Sequence, residues 1–133
     1  MSTRPVVAAT AVAGLLALSA CGSSDTPKDG ASAKTADGTT VSTGLLAFSP
    51  KVANVKAGQT VTWVGGDNIG HVLVQGTYDV GGDGLRTKET DDGTFELKLN
   101  RKGQQVSHVY STPGTFTYFC TIHHGMNGSV VVS

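Results

Sequence analysis

At 133 residues the chain has room for one domain and not for two. Its 10 basic residues balance its 10 acidic ones, and no stripe of Lys and Arg runs through it, which argues against nucleic acid as a partner. It has no basic amphipathic stretch of the kind that lies on a membrane surface.

The chain opens with Arg4 and an apolar run from Val6 to Ala20, too short and too rich in Ala and Gly for a good membrane span. The run ends in Leu18-Ser19-Ala20-Cys21, which resembles the lipobox of bacterial lipoproteins. The resemblance implies that residues 1–20 are an export signal removed ahead of Cys21, and that Cys21 then carries lipid. Residues 22–40 hold no large apolar side chain, so 21–40 are expected to be a lipidated cysteine and a flexible tether. The folded domain is then 41–133. Losing 1–20 removes Arg4 alone and leaves 9 basic against 10 acidic residues. The expected location is the extracytoplasmic face of the cell membrane, with lipid as the only anchor.

From Val41 onward the pattern is all-β. Thr60-Val61-Thr62-Trp63-Val64 alternates at period two, and His71-Val72-Leu73-Val74 is a compact β-branched run. Thr94 to Leu99 places Phe95, Leu97 and Leu99 on one face. Val106–Tyr110 and Thr115–Phe119 flank the turn Thr112-Pro113-Gly114, and Ser129–Val132 follows. Gly- and Asp-rich turns separate these runs, and no window of ten or more residues has a helical period. Six to eight short strands predict a β-sandwich or barrel. The Gly/Asp-rich stretch 77–93 is expected to be a surface excursion.

The chemistry gathers in Tyr118-Phe119-Cys120-Thr121-Ile122-His123-His124-Gly125-Met126-Asn127-Gly128, between two strand-like runs. Cys120, His123 and Met126 stand three apart on a loop that can turn them toward one point. His71, at the start of another strand, supplies a second imidazole. One thiolate, two imidazoles and one thioether match a trigonal His₂Cys copper site with a long axial Met. Each residue alone reads more simply: Cys120 as a small buried hydrophobe, Met126 as core filler, the histidines as surface or hydrogen-bonded groups. Their combination in one loop is what points to metal. With Cys21 lipidated, Cys120 has no disulfide partner, and an unpaired thiol in an exported protein is buried, reactive or metal-bound. Of the other histidines, His124 is read as solvent-facing and His108 as inward-facing with its polar atoms satisfied.

The run Pro113 to Val132 resembles the copper-loop strand pair of the blue-copper (cupredoxin) proteins of the plastocyanin/azurin family. Its Cys-x₂-His-x₂-Met spacing is similar to that of amicyanins. Phe48-Ser49-Pro50, Val55 to Trp63, and Asp67 to Val74 resemble earlier strands of the same family. The resemblance covers 41–133 and is weakest over 77–105. It implies a Greek-key sandwich with copper at one end. His71, Cys120 and His123 would be the strong ligands of one type 1 copper, and Met126 the weak axial one. Val72 departs from the pattern, because many members have Asn there to tie the two ligand loops together.

The function so implied is single-electron transfer between redox partner proteins at the cell envelope, contacted near His123 beside Gly125 and Asn127. The protein is expected to be a monomer and not an enzyme. The alternative is a copper capture or delivery protein using the same ligands. A metal-free interaction domain is disfavoured because all four ligands are kept, and zinc because a thioether suits it poorly.

Overall fold

The computed structural model describes residues 38–133, so Cys21, the export signal and most of the tether lie outside the described residues. Nine strands run through them: β1 (Gly38–Gly44), β2 (Ala47–Ser49), β3 (Val52–Val55), β4 (Gln59–Gly65), β5 (His71–Val80), β6 (Arg86–Leu99), β7 (Gln105–Tyr110), β8 (Gly114–Cys120) and β9 (Asn127–Val132). They form two sheets, ordered β2-β1-β4-β7 and β3-β9-β8-β5-β6. The β1–β4 and β3–β9 pairs are parallel and the others antiparallel. This is the all-β sandwich that the strand pattern predicts. The first strand starts at Gly38, slightly ahead of the boundary read from composition.

Alternation decides which side chains meet between the sheets. Val61 and Trp63 of β4, Val41 of β1, Leu73 of β5, Tyr118 of β8 and Val130 of β9 are fully buried there. Trp63 and Tyr118 meet edge to face with ring centroids 5.2 Å apart, and Phe48 meets Tyr118 at 4.7 Å. Phe95, Leu97 and Leu99 line one face of β6, as their spacing predicts, and Leu99 is fully buried. Truncating Trp63 to alanine at such a site costs about 3–5 kcal/mol.

The stretch 77–93 lies at the surface, as expected, but is largely ordered as strand. It is the far part of a long β5–β6 ribbon, paired from Gly76 opposite Asp91 to Val80 opposite Arg86. The register breaks between Val74 and Gly76, a bulge that lets the ribbon turn away from the sheet. Gly76 is required there: a Cβ would stand 1.9 Å from the Thr90 carbonyl oxygen. The ribbon also covers the outer face of the second sheet. Phe119 points opposite to Tyr118 and Cys120, yet it is only 1% exposed. Tyr78 lies edge-on to its ring at 5.9 Å, and the Arg86 guanidinium carbon sits 4.7 Å from its centroid.

Candidate metal centre

The pairing of β5 with β8 brings the two halves of the site together. Leu73 stands opposite Cys120, so His71, the first residue of β5, lies beside the end of β8. Cys120 is the last residue of β8, and the six residues 121–126 lead into β9. Short main-chain bonds hold that loop. The Cys120 N–H donates to the Met126 carbonyl at 3.0 Å, and the Met126 N–H donates to the His123 carbonyl at 3.0 Å. The Thr121 N–H donates to the Val72 carbonyl at 2.8 Å, a backbone tie between the two ligand-bearing segments where Val72 offers no polar side chain.

These bonds place three donor atoms together. The Cys120 Sγ lies 4.0 Å from His71 Nδ1 and 3.5 Å from His123 Nδ1, and all three lie within 4.8 Å of one another. The two imidazole rings meet at 5.1 Å with their planes 67° apart. Cys120 and His71 are fully buried, and His123 is partly exposed. Met126, from the same loop, is also fully buried. Cys120 forms no disulfide. A thiol this deep, with two ring nitrogens as its polar neighbours, fits a soft divalent or monovalent metal that takes sulfur and imidazole together. Burial, reinforced by the neighbouring His71 ring and opposed by Asp67, holds the His123 imidazole below its ordinary range, which favours the neutral form that binds metal.

Two groups around the site carry no signal in the sequence. Asp67 Oδ1 lies 3.4 Å from His71 Nε2, on the ring edge away from the thiol. Its carboxylate also accepts from the Ile69 N–H at 3.0 Å and the Leu45 N–H at 3.2 Å, and the Ile69 bond is the main reason its carboxyl titrates below the usual range. The other is Arg86, a buried cation that pairs with Glu89 three residues on and with acceptors of the ligand loop far along the chain.

His124 is exposed, as expected, with its Nδ1 2.9 Å from Glu89 Oε1. His108 is half-buried, its ring 5.0 Å from Phe95 and 4.9 Å from Tyr110. What holds it is ring contact rather than the polar satisfaction read from its alternation. Asn127 departs from the expectation of an exposed neighbour of His123. It is 7% exposed, its side chain drawn inward to Arg86. Gly125 does lie at the surface.

A buried thiol flanked by two imidazoles, at the loop end of a two-sheet Greek-key sandwich, defines the cupredoxin class of metalloprotein. A family model described as copper binding proteins, plastocyanin/azurin family, matches residues 35–133. The chain therefore belongs to the plastocyanin/azurin family of copper-binding proteins, and copper is its metal. Among curated relatives it is 35% identical over 91 residues to the plastocyanin of Scenedesmus fuscus, a match covering 67% of this chain and 89% of that one. It is 36% identical over 92 residues to the chloroplastic plastocyanin of Physcomitrium patens, covering 68% of this chain and about half, 52%, of that longer one. Among solved structures, the amicyanin of Paracoccus versutus superposes with a TM-score of 0.57 at 27% identity, covering 74% of this chain and 84% of that one.

Proposed function

We propose that this domain is a type 1 copper protein that carries single electrons between redox partner proteins at the cell envelope. The observation that carries the reading is the convergence of His71 Nδ1, Cys120 Sγ and His123 Nδ1 at the buried end of the sandwich. These three would hold one copper ion strongly, with the buried Met126 thioether as a weaker fourth ligand. Bound copper supplies a one-electron couple. The chain's part is to keep the donors in place, so that little rearranges when the charge changes. Main-chain bonds across the loop and from Thr121 to Val72 serve that end.

His123 is the one member of the donor set with an exposed edge. Exposed Gly125 stands beside it, and Ile122 is 54% exposed on the same loop. Ile69, before His71, and Leu85, close to Gly125, are also exposed. A small apolar surface around a partly exposed ligand suits brief contact with a partner protein. The reading has the domain act as a monomer and not as an enzyme, exported and tethered through lipid on Cys21 at the extracytoplasmic face of the membrane. The preformed donor set favours electron transfer over copper delivery, because release requires a pinned loop to open.

Loading the full chain with Cu(II) tests this. The expected result is an intense blue absorption from charge transfer by the Cys120 thiolate, lost in Cys120→Ser. A colourless Cu(II) complex of the parent protein overturns the reading. For the anchor, Cys21→Ser is expected to leave the membrane fraction, since stable attachment needs the acyl chains. If it stays there like the parent, the lipid assignment fails.

A further inference from the structure

Arg86 is the first residue of β6, and it is only 5% exposed. A buried guanidinium has to be matched by acceptors and by opposite charge. Every acceptor it finds, apart from one carboxylate, belongs to the ligand loop or its edges. One terminal nitrogen donates to the Met126 carbonyl at 2.9 Å and to Asn127 Oδ1. The other donates to the Cys120 carbonyl. Its Nε donates to Glu89 Oε1 at 2.8 Å, which supplies the counter-charge. The main chain adds a further bond, from the Arg86 N–H to the His124 carbonyl at 3.0 Å. Glu89 reaches the loop as well, through His124 Nδ1.

The β5–β6 ribbon is thus fastened to the loop at both of its ends. The two residues whose carbonyls Arg86 holds are Cys120 and Met126, which also pair with each other through the Cys120 N–H. That bond closes the loop, and Arg86 spans the same two residues from outside. The arrangement depends on a planar fork of several donors; an ammonium holds its three donors on one atom and cannot reach all four of these separated acceptors.

We propose that Arg86 is a positioning residue for the metal centre. It fixes the spacing of Cys120 and Met126 in the metal-free chain, so that copper enters a donor set already formed. The proposal rests on the reading of this loop as the copper loop.

The test is amide hydrogen exchange in the metal-free full chain, comparing the parent with Arg86→Lys, which keeps the charge and loses the fork. Exchange of the Cys120 and Met126 amides is expected to rise about tenfold, the scale of a lost charge-assisted bond. The Val61 and Trp63 amides in the other sheet should be unchanged. The copper-loaded variant should show a shifted charge-transfer band and lose metal to a chelator about tenfold faster. Unchanged loop exchange overturns the proposal. An equal rise in both sheets also overturns it, since Arg86 would then only stabilise the fold. Should Arg86→Lys fail to fold, Asn127→Ala decides. It removes one acceptor and leaves the Arg86–Glu89 pair intact, and loop exchange is expected to rise about threefold; no rise overturns the proposal. If the parent protein gives no blue complex, the proposed function fails, while exchange in the metal-free chain still judges the clamp.

Discussion

Asp67 Oδ1 stands 3.4 Å from Nε2 of His71, while Nδ1 of the same ring faces the Cys120 thiol at 4.0 Å. The ring is therefore held between a carboxylate and the donor cluster. A carboxylate behind an imidazole fixes which nitrogen carries the proton and strengthens the other as a ligand. Asp67 is itself fixed by the Ile69 and Leu45 amides.

Asp67→Asn should therefore weaken His71 as a donor without disturbing the sandwich. Copper affinity is expected to fall by about tenfold. The reduction potential should rise, because a poorer nitrogen donor disfavours Cu(II) more than Cu(I). Competition with a chelator and voltammetry check the two effects. Unchanged affinity and potential would show that the 3.4 Å contact leaves the ligand unaltered.

Met126 is fully buried at the end of the loop, and leucine has nearly its volume. Met126→Leu should keep the blue band, which depends on the thiolate, and should raise the potential by removing a weak donor to Cu(II). A potential equal to that of the parent would place Met126 outside the copper's reach.

Gly125 is exposed with ordinary backbone angles, and a Cβ there would only touch Leu85 at 3.5 Å. Gly125→Glu should fold normally and keep the visible spectrum. It should slow electron exchange with a partner protein by about tenfold, by placing charge on an apolar contact surface. Stopped-flow rates measured beside the spectrum separate the two. An undiminished rate would move the contact surface away from His123.

Burial lowers the His108 pKa below 6.5, and Asp92 opposes that only in part. The unfolded chain then binds the proton more readily, so folded stability drops as pH falls below about 6.5 and levels off beneath the folded-state value. His108→Phe keeps the ring contacts with Phe95 and Tyr110 and removes the titration. Its denaturation midpoint should vary less with pH across that window than the parent's, measured on copper-loaded protein. Parallel curves would show that His108 titrates alike in both states.

The parts of this structure that were legible in the sequence are those encoded locally. The alternation of 60–64 gives β4, with Trp63 pointing inward, and the spacing of Cys120, His123 and Met126 places three side chains in one loop. His71 could be joined to them because it opens a recognisable strand. The parts that stayed hidden depend on register over long distances. β3 is four residues long, too short to show a period, and β2, three residues long, is legible only through the family resemblance of Phe48-Ser49-Pro50. The stretch 77–93 reads as a surface excursion because most of its residues are exposed and only Tyr78 and Arg86 pack inward, too few to show an apolar alternation. Arg86 sits among turn residues and looks like any surface cation; its burial follows only from the ribbon folding back over Phe119. Asn127 reads as an exposed loop residue for the same reason, since its partner is 41 positions earlier in the chain.

The order of the strands along the chain has a consequence for biogenesis. Cys120 ends the eighth of the nine described strands, His123 and Met126 follow it, and β9 reaches back to lie beside β3, Ser129 opposite Val52. A ribosome delivers the chain from its N-terminus, so His71 emerges long before the thiol that it faces. Until β9 is released and docks between β8 and β3, the loop lacks the strand that follows it. A half-made chain therefore presents one lone imidazole from the centre to any passing ion. A chain cut short before Asn127 would lack the strand that holds the far end of the ligand loop against β8.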